Sequence, residues 1–260
     1  MSRVLQAKTV EGRQFDNFVD EYAKARPVYP RQVFDRMVLL HGKRFFRAVD
    51  IGCGTGQSLE GLDNISAELI GIDPSSVMLE EARKRVPGAT FVRASGEDTT
   101  IESSSVDLVS IATAFHWMDP AGVVREAHRI LTGGGLLAVY RYDIPELDGD
   151  IGGAFDRRLQ ADWRPFISEK ILFPGDPFDL LVRSEGWAFV SRTVIPYAPR
   201  YSSRQFVDLM LATSYVREFL AEHPDPGRYE REFYDEFHRL APDGVTPNLD
   251  IKLTLGTRNG

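Results

Sequence analysis

Residues Val49 to Gly56 read VDIGCGTG, where a short apolar run gives way to a stretch of helical period. Arg47–Ile51 predicts a strand, and a helix is expected from about Gln57. A glycine-rich turn between first strand and helix lets the backbone approach a ligand closely. Alone this signal is unspecific, because several nucleotide-derived ligands are held by such turns. Two details discriminate. The glycines are spaced G-x-G-x-G (Gly52, Gly54, Gly56), one residue tighter at the last than the dinucleotide fingerprint. Asp50 precedes the first by two residues, and a carboxylate there repels a pyrophosphate but attracts an ammonium.

Outward from this turn, Glu68–Ile72 predicts a second strand that ends at Asp73-Pro74. Pro74 suits the first turn of a helix whose face carries Leu79, Ala82 and Val86. Thr90–Arg93 is a short third strand and Val106–Ala112 a buried fourth. Asp119-Pro120 opens a helix with Val123, Ala127, Ile130 and Leu131 on its apolar face, which Gly133–Gly135 should end. Leu136–Tyr140 follows as a fifth strand. Strands alternating with helices call for a mostly parallel sheet with helices on both faces. Trp187–Ile195 and Asp250–Leu255 read as sixth and seventh strands. Between them, Tyr229, Phe233, Phe237 and Leu240 share one helical stripe, and Ile151, Phe155 and Leu159 share another.

The expected division is an N-terminal helical lid (1–44), a Rossmann-like core (45–141) and a cap insertion (142–175). A core helix and strand (176–197), a helical cap (198–246) and the last core strand (247–260) complete it. The alternative for the insertions is helices that only pad the sheet.

Bulk properties narrow the function. The chain has 260 residues, 43% hydrophobic and 27% charged, with a formal charge of −7. That balance argues against nucleic acid as an obligatory partner. The single cysteine, Cys53, forbids an intramolecular disulfide and fits a reducing, cytoplasmic setting. No segment has the length of apolar sequence that a membrane helix needs, and the first residues lack a secretory apolar core. A small-molecule partner, no metal, and a monomer or homodimer are expected.

With Asp50 before the glycines, Asp73 after the second strand suits the ribose hydroxyls of an adenosyl ligand. Asp73 does not choose between NAD and S-adenosylmethionine; Asp50, facing a ligand with an ammonium and no phosphate, favours the latter. VDIGCGTG resembles motif I of the class I S-adenosylmethionine-dependent methyltransferases, and GIDPSSVML resembles their following segment. RASGED (Arg93–Asp98) resembles the stretch bordering the adenine; SVDLVSIATAFHW and LTGGGLLAVY fit the same family. The resemblance covers roughly 45–140. It implies a doubly wound seven-stranded α/β sheet with an antiparallel last strand, S-adenosylmethionine as donor and S-adenosylhomocysteine as product. It also implies that Gly52, Cys53, Gly54, Gly56, Asp73, Pro74, Met78, Ser95, Gly96, Glu97, Ala114 and Phe115 border the donor, with Asp50 toward its ammonium. FDNFVDEYAKARPVYP (Phe15–Pro30) followed by AFHWMD is similar to the trans-aconitate methyltransferase-like small-molecule subgroup. Phe15, Phe18, Val19 and Tyr22 share one helical face, and by that likeness Tyr22 and Arg26 lie near the donor's methionine moiety, Arg26 pairing with its carboxylate.

Methyl transfer from a sulfonium requires alignment and exclusion of water, and a base only if the acceptor must lose a proton. His116 is the titratable residue that the topology places beside the methyl. Its roles are a general base, a donor holding an anionic acceptor, or packing. Trp117, Arg164 and Tyr201 are the further acceptor-side candidates, among the cap's arginines (Arg141, Arg157, Arg158, Arg200, Arg204) and aromatics. Asp119 is explained as a helix cap. O-methylation of a small organic acid or natural-product intermediate leads; C- or N-methylation with a His116 base, and non-catalytic donor binding, are the alternatives.

Overall fold

The computed structural model describes residues 18–260; Phe15 lies outside them. Seven strands form one sheet in the order β3-β2-β1-β4-β5-β7-β6. They are β1 (Phe45–Ile51), β2 (Ser66–Ile72), β3 (Thr90–Val92), β4 (Val106–Ala112), β5 (Leu131–Arg141), β6 (Trp187–Ile195) and β7 (Ile251–Arg258). β1 to β5 pair in parallel, while β7 runs antiparallel to both β5 and β6. This is the Rossmann-like doubly wound sheet with an antiparallel last strand that the resemblance implies.

Among the described residues two helices precede the sheet, α1 (Val19–Ala25) and α2 (Arg31–His41). α3 (Gln57–Asp63), α4 (Ser76–Arg85) and α5 (Pro120–Ile130) connect the parallel strands. α2, α3 and α4 bury Val33, Phe34, Met37, Leu59, Leu62, Leu79 and Ala82 against one face of the sheet. α5 and α8 (Pro177–Arg183) cover the other, with Val123, Ala127, Ile130 and Leu181. Of residues 1–44, α2 thus belongs to the sheet's core. The remaining helices, α6 (Gly149–Arg158), α7 (Glu169–Leu172), α9 (Ser203–Leu211), α10 (Ser214–Glu222) and α11 (Pro226–Leu240), come from two separate stretches of chain. They share a third core around Phe155, Trp163, Phe206, Tyr215, Phe233 and Phe237.

Two local expectations are corrected. α4 begins after Pro74: Asp73 accepts from the Ser75 N–H at 2.9 Å, and Ser75 caps the helix by accepting from the Met78 N–H at 3.3 Å. The glycine triplet does not end α5. It lies within β5, where the register with β4 shifts between the pairs Val106–Leu131 and Leu108–Leu136, so Gly133–Gly135 take up the extra residues of a bulge.

β1 stands between β2 and β4, so the strand order reverses there. At such a switch point the connections leave in opposite directions and open a crevice at the carboxyl ends of the strands.

Candidate active site

At that edge lies a cavity of about 2210 Å³, beyond the ~300–1,000 Å³ of a pocket for one small ligand. Two small molecules have room side by side. The Gly52 and Cys53 N–H groups both donate to the Ile72 carbonyl, at 2.8 and 2.9 Å, hooking the glycine turn over the end of β2. Gly52 (φ 70°) and Gly54 (φ 52°) adopt left-handed backbone that a side chain disfavours. A Cβ on Gly52 would stand 2.7 Å from Ala114 Cβ, whereas one on Gly54 would meet no atom of the described residues within 4 Å. Gly54 therefore presents bare backbone to the cavity, and its N–H donates to Asp73 Oδ2 at 3.0 Å. Tyr22, Arg26, Gly52, Cys53, Asp73, Pro74 and Met78 line the same space, with Ser95, Gly96 and Glu97. Glu97 is fixed there by accepting from the Asp119 N–H at 2.8 Å.

Asp50 does not line the cavity. It is fully buried behind the turn, where Oδ1 accepts from the Ser58 hydroxyl at 3.3 Å and Oδ2 has no hydrogen-bond partner among the described residues. Burial pushes its carboxyl up to about 7; hydrogen bonds from Ser110 and Ser58 hold it back, and the nearby Asp73 charge pushes it further. Burial likewise raises the Cys53 thiol, consistent with packing rather than nucleophilic duty.

On the opposite wall, β4 ends and the chain turns through Thr113 into a short 3-10 turn, Phe115–Trp117. Ala114, His116, Trp117 and Met118 line the cavity. Burial first, then the charges of Arg141, Arg26 and Lys170, hold the His116 imidazole down at about 4. Those cations are differently engaged. Arg141 pairs with Asp143 at 3.1 Å, and the Lys170 ammonium donates to the Trp117 carbonyl at 3.4 Å. The Arg26 guanidinium lies 5.1 and 5.3 Å from the Tyr22 and Tyr142 ring centroids and has no carboxylate partner among the described residues.

Several expected residues are not brought here. Phe115 is turned into the core beneath α5. Gly56 caps α3 and faces Ala82 and Arg85. Arg164 is exposed and Tyr201 bridges to Val245, and neither lines the cavity. Arg158 pairs with Glu236 at 2.7 Å and Arg204 with Asp208 at 2.7 Å, and Arg200 donates to the Asp243 carbonyl.

A methyltransferase-domain family matches residues 49–139, from the glycine turn to β5. An uncharacterized methyltransferase of Mycobacterium tuberculosis is 28% identical over 226 residues, 81% of this chain and 86% of its own. A Saccharomyces cerevisiae protein named for S-adenosylmethionine-dependent methyl transfer is 36% identical over 132 residues, 48% of this chain and 45% of its own. The fold is shared with a solved Anaeromyxobacter dehalogenans structure, provisionally described as a type II methyltransferase. Its TM-score is 0.67 at 24% identity, covering 90% of this chain and 96% of that one. Residues 49–139 carry a methyltransferase domain, and the relatives support a class I S-adenosylmethionine-dependent methyltransferase. The comparisons reach this class and do not single out the trans-aconitate methyltransferase subgroup.

S-adenosylmethionine is thus the methyltransferase's donor, and the residues present suit it. Asp50 carries an orphaned buried carboxylate oxygen, and the bare Gly54 backbone leaves an open cradle. Arg26 is a cavity-lining guanidinium without a carboxylate partner among the described residues. Bound there, the donor supplies an electrophilic methyl group on a sulfonium.

Some lining residues were missed in the sequence. Tyr142 and Thr113 immediately follow β5 and β4, so the strand-end rule that singles out His116 would have found them. Lys170, Met210 and Glu218 also line the cavity; their only signal is the packing of distant helices, which no local pattern carries.

Proposed function

We propose that the protein methylates a carboxylate oxygen of a small organic acid with an apolar body. The observation that carries this reading is the state of His116. An imidazole held at about 4 binds a proton some 300-fold less tightly than an ordinary histidine. It is a poor acceptor for the proton of a hydroxyl or carbon acid, which weakens the case for C-methylation or any other reaction needing a base. A carboxylate is already ionised near neutral pH and needs none. Of the charges that depress His116, those of Arg141 and Lys170 also attract an anion to the same spot. Neutral His116 can then donate one N–H to it and fix its orientation. Phe166, Ile167, Ile171 and Leu172 line the neighbouring wall and offer apolar surface for the acceptor's body. Arg26, near the donor end, would pair with the methionine carboxylate, and Asp50 would stabilise the ammonium.

A methyl-transfer screen over carboxylates, hydroxylated aromatics and phosphonates, read by mass spectrometry, tests this. We expect methyl esters, formed at a rate flat above about pH 5.5 and lowered in His116→Gln without a change in that flatness. Phenolic ethers formed at a rate that climbs with pH, and abolished in His116→Gln, would overturn it.

A further inference from the structure

Three described non-glycine residues have positive φ, and among them Thr113 (φ 50°) is the one lining the cavity. The left-handed conformation is costly for a β-branched side chain and persists where the surroundings enforce it. Here it turns the chain at the end of β4, three residues before His116, so that the 3-10 turn folds back along the cavity wall instead of continuing the strand. Two hydrogen bonds hold it. The Thr113 N–H donates to the Tyr140 carbonyl at 2.7 Å, which anchors the backbone to β5. The Thr113 hydroxyl lies 2.7 Å from the Tyr29 hydroxyl.

Tyr29 belongs to the stretch Arg26-Pro27-Val28-Tyr29-Pro30, which links α1 to α2 and carries Arg26. Two prolines stiffen this strap, and Val28 accepts from the Tyr197 hydroxyl at 3.1 Å. The Tyr29 ring packs edge-on against Tyr140, with centroids 4.9 Å apart. The Tyr140 hydroxyl in turn lies 2.5 Å from Ser58 Oγ, the group that donates to Asp50. Tyr29 therefore touches the strap bearing Arg26, the turn bearing His116, and the buried network behind the glycine turn.

We infer that Tyr29 is a positioning residue, a latch whose hydroxyl holds the Thr113 turn against the Arg26 strap and so sets the place of His116 relative to the donor. The latch rests on the donor-binding class and not on the identity of the acceptor, so it can be tested without one. The probes are S-adenosylhomocysteine calorimetry and the His116 titration followed by side-chain NMR, with His116→Gln identifying the signal. Tyr29→Phe and Thr113→Val remove the same bond from opposite ends. Each should let His116 titrate higher, toward the ordinary histidine value. Each should also weaken S-adenosylhomocysteine by roughly 2- to 10-fold, the worth of one hydrogen bond. The double variant should lose no more than either single one. Thr113→Ser, which keeps the hydroxyl, should restore both readouts. If Tyr29→Phe unfolds the chain, Thr113→Val against Thr113→Ser makes the same comparison. Additive losses in the double variant, an unmoved His116 titration, or a serine variant no better than valine would overturn the inference.

Discussion

Replacing Asp50 by asparagine should make this protein more stable and worse at its task, and the size of the stabilisation should grow with pH. Burial raises the Asp50 carboxyl from its ordinary 3.8 to about 7. Between those values the folded chain keeps a proton that the unfolded chain has released. Stability therefore falls as pH rises through that window and stays reduced above it. At about 1.4 kcal/mol for each tenfold in proton affinity, ionised Asp50 costs the folded state as much as about 4 kcal/mol at pH 8. Asparagine carries no such cost, and its amide can still bond to Ser58 and Ser110. At roughly 2–4 °C per kcal/mol for a domain of this size, Asp50→Asn should raise Tm by as much as about 8–16 °C at pH 8. More than half of that advantage should vanish by pH 5, where wild-type Asp50 is protonated. His116 contributes with the opposite sign, since its folded value of about 4 lies below the ordinary 6.5. That contribution is the same in both proteins and cancels in the comparison. The assay is paired thermal melts at pH 5 and pH 8, with and without S-adenosylhomocysteine. On the proposed stabilisation of the ligand's ammonium by the Asp50 charge behind the glycine turn, the ligand should raise Tm more in wild type than in Asp50→Asn. Identical pH dependence in the two proteins, or equal ligand stabilisation, would refute the reasoning.

The two cavity glycines should separate stability from binding. In Gly52→Ala the new Cβ meets Ala114 Cβ at 2.7 Å and Met118 Cε at 2.8 Å. Left-handed strain and overpacking together should cost about 2–5 kcal/mol. Gly54→Ala meets no atom of the described residues within 4 Å and should cost only about 1–2 kcal/mol of strain, yet calorimetry should show both variants failing to bind S-adenosylhomocysteine. Arg26→Ala should weaken the same ligand by roughly 10- to 100-fold, the range for a hydrogen bond to a charged group. With no carboxylate partner lost, its melting temperature should stay near wild type.

How much of this was legible in the sequence follows from which forces act locally. β4 and β6 were read to the residue because Val106–Ala112 and Trp187–Ile195 are bounded by turn residues. β1 and β2 run two residues further toward their starts, through Phe45 and Ser66, because pairing with neighbours extends a strand past the point where its own pattern stops. The donor wall was legible for a topological reason: strand ends of a parallel sheet converge on one edge, so a glycine turn, Asp73 and His116 meet wherever the fold forms. Asp50 illustrates the limit. Its place before the glycines was plain, but its withdrawal behind the turn depends on Ser58, Ser110 and Tyr140, which approach from three other elements. Arg164 failed for a simpler reason: Trp163 beside it is wholly buried in the cap's core, which leaves the following side chain facing out.

The helices above the cavity have a hydrophobic core of their own, assembled from two stretches far apart in the chain. The donor wall, apart from Tyr22 and Arg26, comes from one continuous stretch whose side chains belong to the two cores of the sheet. Because these cores fill separately, a substitution deep in the upper helices can be compensated by its own neighbours without disturbing the glycine turn. Selectivity for the acceptor can therefore drift, or be re-engineered by exchanging the helices 142–175 and 198–246 as one piece, while the donor cradle keeps its shape. Chimaeras would have to preserve the seam at Trp117, whose carbonyl accepts from the Lys170 ammonium of the exchanged piece.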